Sequence, residues 1–193
     1  EQAILGYDSF NIAANESVNF TLPTADSFVL NRIFGDGVSS ILGTLTANGN
    51  LVFINSNGFY FGPSALVQVG GLIASTLDIS NTDFLKGNYV FSGVDSVAGE
   101  TVSSSIVNDG IIRADQGGMA VLVADAIVNN GTIEAPLGTV ALAAGEAVTV
   151  GLGADGLVSV MITKETADKI VDKDGVPLTS QITNTGTLSA YQG

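Results

Sequence analysis

A repeated word of nine residues is the feature of this sequence that most constrains its fold. The residues IVNDGIIRA at 106–114 return as IVNNGTIEA at 127–135, 21 residues later, and more loosely as ITNTGTLSA at 182–190. A second apolar run follows the first two copies at the same offset of 21 residues, beginning at Gly117 and at Gly138. Short strands and glycine turns that recur about every 20 residues, with no helical segment between them, indicate a β-solenoid.

The repeat extends upstream but is interrupted twice. The turns around Gly49 and Gly71 are interpreted as earlier copies, separated by 22 residues. Residues 81–104 and 145–181 break the period, and we interpret them as excursions from the coil of a single domain, 1–193. In the second excursion the segment around GADG predicts a two-strand hairpin, TKETADKIV a short helical turn and DKDGVPL another turn. We expect this excursion to be a solvated flap over one face of the coil.

Stacking of the coils predicts columns of identical side chains. In a solenoid each residue lies over its equivalent one coil earlier, at a spacing of about 4.8 Å. The predicted asparagine column consists of Asn108, Asn129 and Asn184. The predicted glycine column consists of Gly110, Gly131 and Gly186, at a corner where we expect positive φ, which glycine adopts without steric cost. The predicted interior columns are Ile106, Ile127 and Ile182, and Ile112, Ile133 and Leu188.

Composition agrees with an all-β fold. The chain has 193 residues and 46% apolar residues, enough for one domain with a sizeable core. Only 13% of the residues are charged and 24 are glycine, which favours a sheet-rich fold with many tight turns. An antiparallel sandwich is the alternative, because Asn-Gly also marks hairpins. Hairpins do not explain the recurrence of nine-residue words, so the sequence favours the solenoid.

Charge and missing residue types exclude several functions. Six Lys and Arg stand against 19 Asp and Glu, for a net charge of -13, so the basic surface of a nucleic-acid or anionic-membrane binder is missing. The sequence contains no Cys or His, which removes disulfides, the usual zinc ligands, cysteine nucleophiles and histidine triads. No apolar run approaches the ~20 residues of a membrane span. We predict no metal, no cofactor, no nucleic-acid partner and no membrane insertion.

A polysaccharide-cleaving β-helix is the enzymatic alternative. Its catalysis would need two carboxylates on one exposed face. The 21-residue shift places Asp125 over Glu146, an unfavourable stack unless it is solvated or bridged by a cation. The sequence has no calcium-binding nonapeptide and no basic column beside this pair. We therefore predict no catalytic residue, and an enzyme is the least favoured function.

Residues 45–80 carry hardly any charge, although the chain as a whole is strongly acidic. An edge strand open to water is normally protected by Lys, Glu or Pro. This segment is therefore expected either to be buried on both sides or to be contacted by a partner.

Several words of the sequence, in order, resemble one protein family. They are NRIFGDGVSSILGTLTANGNLVFINSNGFYFG at 31–62 and VGGLIASTLDISNTDFLKGNYVFSG at 69–93. These words are similar to the haemagglutination-activity domain of filamentous haemagglutinin-like proteins, the secretion domain of two-partner secretion systems in Gram-negative bacteria. The resemblance runs from about Phe10 to Gly145. The family motif Asn-Pro-Asn-Gly is here Asn55, Ser56, Asn57 and Gly58, and the family's N-terminal capping stretch is almost entirely absent.

The resemblance implies a right-handed parallel β-helix that serves as an export address. Such a domain stands at the N-terminus of a large adhesin or exoprotein, which is secreted or reaches the cell surface through the periplasm. Periplasmic repeats of an outer-membrane β-barrel transporter would recognise it before it folds, and Asn55, Ser56, Asn57 and Gly58 would be the recognition motif. The competing interpretation of these residues is a tight corner. The alternative functions are a filament subunit that stacks head to tail and an adhesin module that binds host surfaces or glycans.

Overall fold

The chain folds into a parallel β-helix, which the computed structural model describes over residues 1–93, 104–153, 158–164 and 180–191. In this part of the chain each complete coil gives one strand to each of three parallel sheets. The first sheet contains, in spatial order, β1 (Gln2–Tyr7), β3 (Phe28–Ile33), β6 (Asn50–Ile54), β9 (Gly71–Ser75), β13 (Met119–Ala124) and β16 (Thr139–Ala144).

The other two parallel sheets complete each coil. The second sheet contains β4 (Ser39–Ile41), β7 (Phe59–Phe61), β11 (Ser105–Asn108), β14 (Ala126–Asn129) and β19 (Ile182–Asn184). The third sheet contains β2 (Ser17–Phe20), β5 (Thr44–Ala47), β8 (Leu66–Val69), β12 (Ile111–Ala114), β15 (Thr132–Glu134) and β20 (Thr187–Ser189). In the first coil, Ile12 forms a single bridge to Ile41 at the edge of the second sheet.

The predicted 21-residue register is confirmed in the second and third sheets. Ile106 pairs with Ile127, which pairs with Ile182 on its other side. Ile112 and Ile133 pair in the same way in the third sheet. These isoleucines of the inner coils are fully buried, as a column inside the coil requires.

The first sheet departs from the predicted register. Met119 pairs with Thr139, a shift of 20 residues, because three residues separate Ala135 from Thr139, whereas four separate the equivalent Ala114 from Met119. Gly118, and not Gly117, therefore lies under Gly138. The nine-residue repeats do not reveal this difference, because the missing residue lies in the turn that follows the second repeat.

The upstream copies also shift by one residue from the prediction. Asn50 pairs with Gly71, and Gly70 lies directly on Gly49. The coil length here is therefore 21 residues and not 22. The two adjacent glycines made the sequence alignment ambiguous by one position.

An antiparallel sheet and a short helix cover the outer face of the first sheet. They comprise α1 (Asn81–Leu85), β10 (Tyr89–Ser92), β17 (Ala147–Leu152) and β18 (Val158–Lys164), with the strands in the order β10-β17-β18. Their apolar side chains pack on the outward side chains of the first sheet and form a second core. Every residue of β9 and β13 is consequently buried. Burial on both faces explains why the first-sheet strands within residues 45–80 are nearly continuous apolar runs.

The second excursion contains the predicted hairpin, since β17 and β18 pair antiparallel. Its turn at 154–157 and the later turn predicted over 172–178 lie outside the described residues. Of the helical turn predicted over 163–171, the first two residues, Thr163 and Lys164, lie in β18 and are extended, and the rest lie outside the described residues. The excursion covers one face of the coil as expected, but β17 is not solvated, because Val148 and Val150 are buried in the second core, whereas Met161 and Ile162 of β18 are exposed.

Arg32 fastens the first excursion to the coil. Its guanidinium forms an ion pair with Asp78 and donates hydrogen bonds to the carbonyl oxygen of Ile79 and to Oδ1 of Asn81. From the first strand, Nε2 of Gln2 donates to the carbonyl oxygen of Phe84 at 2.8 Å. The excursion is therefore held by polar contacts at its rim and by apolar contacts beneath it.

Candidate functional site

The Asn-Ser-Asn-Gly corner lies between β6 and β7, and its first residue is fully buried. Nδ2 of Asn55 donates to the carbonyl oxygen of Gly37 and to Oγ of Ser39, both at 2.9 Å. The backbone N–H of Asn55 donates to the carbonyl oxygen of Ser75 in the following coil at 3.1 Å. Asn55 therefore connects the coil before it to the coil after it.

The remaining residues of the corner complete a tight turn. The N–H of Asn57 donates to Oδ1 of Asn55 at 2.9 Å, and the N–H of Gly58 donates to the carbonyl oxygen of Asn55 at 3.0 Å. Nδ2 of Asn57 also donates to the carbonyl oxygen of Gly35 at 2.8 Å. Asparagine is favoured at such a turn because its short amide satisfies nearby backbone groups. Among these four residues only the Ser56 side chain is exposed.

Gly58 is required for two separate reasons. Its φ is 105°, a conformation that other residues rarely adopt. A Cβ at this position would also lie 2.4 Å from the carbonyl oxygen of Ser105 in the next coil. The tight-corner interpretation therefore accounts for Asn55, Asn57 and Gly58 in the folded protein.

The three predicted ladder asparagines lie in one hydrogen-bonded column. Nδ2 of Asn108 donates to Oδ1 of Asn129 at 2.7 Å, and Nδ2 of Asn129 donates to Oδ1 of Asn184 at 2.7 Å. Oδ1 of Asn108 accepts the N–H of Gly110 at 3.2 Å. Asn108 and Asn129 are fully buried, so each relies on the other amides in the column to satisfy its polar atoms.

The glycine column exists for a different reason from the one predicted. Gly110, Gly131 and Gly186 lack the positive φ found at Gly58 and at Gly117. Instead, a Cβ on Gly131 would lie 2.1 Å from the carbonyl oxygen of Gly110, and one on Gly186 would lie 2.0 Å from that of Gly131. Close approach of the coil backbones, and not backbone conformation, excludes a side chain here.

The column also contains a glycine that the sequence analysis missed. A Cβ on Gly110 would lie 2.5 Å from the carbonyl oxygen of Gly62. Gly62 precedes Pro63 and lies outside the nine-residue words, so the repeat did not reveal it. A signal that could have found it is a glycine at the end of a short apolar strand: Gly62 directly follows β7, whereas one residue separates Gly110 from β11 and Gly131 from β14.

The predicted stack of Asp125 on Glu146 is displaced by one residue. Ala124 pairs with Ala144, which places Asp125 beside Gly145. Oδ2 of Asp125 accepts hydrogen bonds from the N–H and the Oγ of Ser104 at 3.2 and 3.3 Å. Burial raises the pKa of Asp125, the bonds from Ser104 lower it, and the nearby charge of Glu146 raises it further. Asp125 is thus turned toward Ser104, and Gly145 rather than Glu146 lies beside it in the register.

The described residues offer neither a metal cluster nor a membrane-spanning helix. They contain no group of three or more His, Cys, Asp or Glu arranged to hold a metal ion. Within the same ranges, no helix has both the length and the apolar character needed to cross a bilayer.

Comparison with known proteins identifies the family. The family model for the TPS secretion domain matches residues 1–192. The chain belongs to the TPS secretion domain family. The solved HMW1 secretion domain from Haemophilus influenzae superposes with a TM-score of 0.75 and 31% sequence identity, over 86% of this chain and 43% of that one. The superposition agrees with the β-helix described above.

Two curated relatives are large proteins from Haemophilus influenzae, each called heme/hemopexin-binding protein. One is 40% identical over 75 residues, which are 39% of this chain and 8% of the relative. The other is 33% identical over 92 residues, which are 48% of this chain and 10% of the relative. The matched regions therefore cover about a tenth or less of these relatives.

Membership of the TPS secretion domain family defines the general role of the chain. It is the secretion domain of a two-partner secretion exoprotein, exported by a Gram-negative bacterium. Such a domain is recognised by an outer-membrane transporter partner. The family is not a catalytic one.

Proposed function

We propose that this TPS secretion domain is the N-terminal export address of a large adhesin or exoprotein, and that periplasmic repeats of the transporter recognise it before it folds. The observation that supports this order of events is the burial of the corner motif. Asn55 is fully buried, and the amide of Asn57 is bound to the carbonyl oxygen of Gly35. Side chains that are buried or hydrogen-bonded within the folded domain are accessible to a partner only while the chain is unfolded.

The weakly charged segment 45–80 is also suited to recognition before folding. It contains five strands, β5 to β9, and its side chains are mostly buried in the folded domain. An extended segment with high β-propensity can add as a strand to the exposed edge of a partner's sheet. We propose that this segment pairs with the transporter during export and becomes part of the interior coils afterwards.

The first coils are proposed to nucleate folding outside the cell. Phe10, Phe53 and Phe59 lie in contact along the inner core, with ring centroids 4.9 and 6.4 Å apart. The inner core at β13 instead contains smaller side chains such as Ala120 and Ala124. Because each coil of a solenoid contacts mainly its neighbours, an aromatic start gives later coils a stable edge on which to add.

A secreted reporter fused to residues 1–193 tests the export role. Secretion should require the transporter, and Asn57→Ala should reduce it, whereas Asn15→Ala is a matched control at an exposed turn. An Asn57→Ala domain that folds normally when purified yet is not exported would support recognition of the motif itself. Export of Asn57→Ala at the rate of the parent would remove the motif from the mechanism.

The last described coil supports a second candidate, self-association. Ile182 and Leu188 occupy interior columns but are 40% and 42% exposed, and in the described residues β19 and β20 each pair on one edge. A further coil, whether from the same polypeptide or from a second copy stacked head to tail, would cover them. Light scattering of the purified domain over a range of concentrations tests whether a second copy stacks on this coil. A strict monomer at high concentration would eliminate self-association.

Binding to host surfaces or glycans is proposed only as a role added to export. Binding of the purified domain to host cells, measured beside secretion of the fusion, separates the two roles. A domain that is exported normally but binds no cell would assign adhesion, if the parent protein has it, to other parts of that protein.

A further inference from the structure

Three Asn-Gly pairs lie at corners of the coil: Asn48-Gly49, Asn57-Gly58 and Asn130-Gly131. This dipeptide is the sequence most prone to spontaneous deamidation, because glycine has no Cβ to keep its nitrogen from the preceding side chain. The glycine nitrogen attacks Cγ of the asparagine and forms a new N–C bond. The bond from Cγ to Nδ2 breaks, and Nδ2 leaves as ammonia with the proton of the glycine amide. Water then opens the cyclic imide to aspartate or isoaspartate.

The fold restrains both reacting groups of the pair in the corner motif. The N–H of Gly58, which would attack, donates to the carbonyl oxygen of Asn55 at 3.0 Å. Nδ2 of Asn57, which would leave, donates to the carbonyl oxygen of Gly35 at 2.8 Å and to Oδ1 of Asn55 at 3.2 Å. Cyclisation therefore requires the corner to open.

The pair at 130–131 is restrained in the same way by neighbouring coils. The N–H of Gly131 donates to the carbonyl oxygen of Asn108 at 2.9 Å. Nδ2 of Asn130 donates to Asp109 at 2.9 Å, and its Oδ1 accepts from Oγ1 of Thr185 at 2.7 Å. The side chain is exposed, yet both of its polar atoms are bound.

The pair at 48–49 is restrained through the side chain. Oδ1 of Asn48 accepts the N–H of Leu22 at 2.6 Å, and its Nδ2 donates to the carbonyl oxygen of Leu22 at 2.9 Å. These two hydrogen bonds depend on Leu22 alone, and the side chain of Asn48 is exposed.

We propose that these three pairs are deamidation sites of the unfolded chain that folding closes, and that Asn57 is the site whose conversion damages the fold. Aspartate at position 57 has no donor for the carbonyl oxygen of Gly35, and isoaspartate would add a backbone atom to a turn held by four hydrogen bonds. The chemistry is independent of export. Its consequence, that a chain kept unfolded before export loses the ability to fold, rests on the proposed function.

The test follows loss of ammonia in the purified chain, folded in buffer and unfolded in urea, at the same mildly alkaline pH. Peptide mapping in heavy-oxygen water identifies each converted asparagine. All three pairs should convert in urea, whereas folding should slow conversion at Asn57 and Asn130 about tenfold or more, because the reaction must pass through locally opened states. Asn48 should be the least protected of the three. Equal rates at Asn57 in the folded and unfolded chain would overturn the proposal.

Two variants make the result specific. In urea, where folding plays no part, Gly58→Ala should slow conversion at Asn57, and an unchanged rate would show that cyclisation is not the route. In buffer, Asn57→Asp should melt at a lower temperature than Asn15→Asp, which places the same charge at an exposed turn. Equal midpoints would refute damage to the corner. None of these measurements involves the transporter, so their outcome is independent of whether export proceeds as proposed.

Discussion

Replacing Gly131 by alanine tests whether close contact between coils, and not backbone conformation, selects the glycine column. The new Cβ would lie 2.1 Å from the carbonyl oxygen of Gly110, where ordinary contact begins at 3.4 Å. The two backbones must therefore separate locally by more than about 1 Å in a tightly packed stack. The same carbonyl oxygen accepts the N–H of Thr132 at 2.9 Å, so the separation also strains a hydrogen bond between coils.

The expected cost combines these two effects. Overpacking of a rigid site costs about 1–3 kcal/mol, and a weakened backbone hydrogen bond about 0.5–1.5 kcal/mol. We therefore expect Gly131→Ala to lower the free energy of unfolding by about 2–4 kcal/mol. For a chain of this size the melting temperature should fall by roughly 5–15 °C. Urea and thermal unfolding, followed by circular dichroism, measure both quantities.

Two other glycines serve as controls. A Cβ added to Gly37 would have no atom within 4 Å, and this residue has no positive φ, so Gly37→Ala should be neutral or stabilise by up to about 1 kcal/mol. Gly117 also has open space but a φ of 76°, so Gly117→Ala should cost about 1–2 kcal/mol through conformation alone. A Gly131→Ala midpoint equal to that of Gly37→Ala would refute the contact argument. A larger loss for Gly117→Ala than for Gly131→Ala would restore the conformational explanation.

Three further outcomes follow from the structure. Ile127→Asp should cost several kcal/mol and unfold a marginal domain in thermal melts, because it buries an unpaired charge in the inner core, whereas a substitution at the exposed Asn130 should not. Arg113→Ala should cost no more than about 1 kcal/mol in urea unfolding, because the pair it forms with Glu134 at 2.7 Å is half exposed on the arginine side. Burial raises the folded-state pKa of Asp125 above its ordinary value of 3.8. The parent should therefore lose stability relative to Asp125→Asn as the pH rises from 3.8 through the folded-state pKa. Urea unfolding curves of the two proteins, measured across this pH range, should diverge in this direction. Parallel pH profiles for the parent and this variant would contradict the burial of the carboxyl group.

The exposed pair of Arg113 and Glu134 shows how far the repeat alone reaches. The shift between the two nine-residue words places these residues side by side, and the structure pairs them in β12 and β15 with Nε of Arg113 donating to Glu134 at 2.7 Å. Stacked coils repeat the same local conformation, so any two residues one period apart become neighbours. The same reasoning correctly placed Ile127 on Ile106 and Asn129 on Asn108.

By itself, then, the sequence determined the solenoid, its period in two of the three sheets, and the side chains that line the inner core. Tertiary structure alone decided how the two excursions join into one outer layer. Tyr89 of the first excursion pairs with Val150 of the second, and Arg32 holds Asp78 across the rim of the first sheet. The residues in those contacts are not separated by a multiple of the coil length, so the sequence repeat does not predict that they meet. The shorter coil before β16 and the close approach of Gly131 to Gly110 were likewise invisible, because each depends on distances of an ångström or two between stacked backbones.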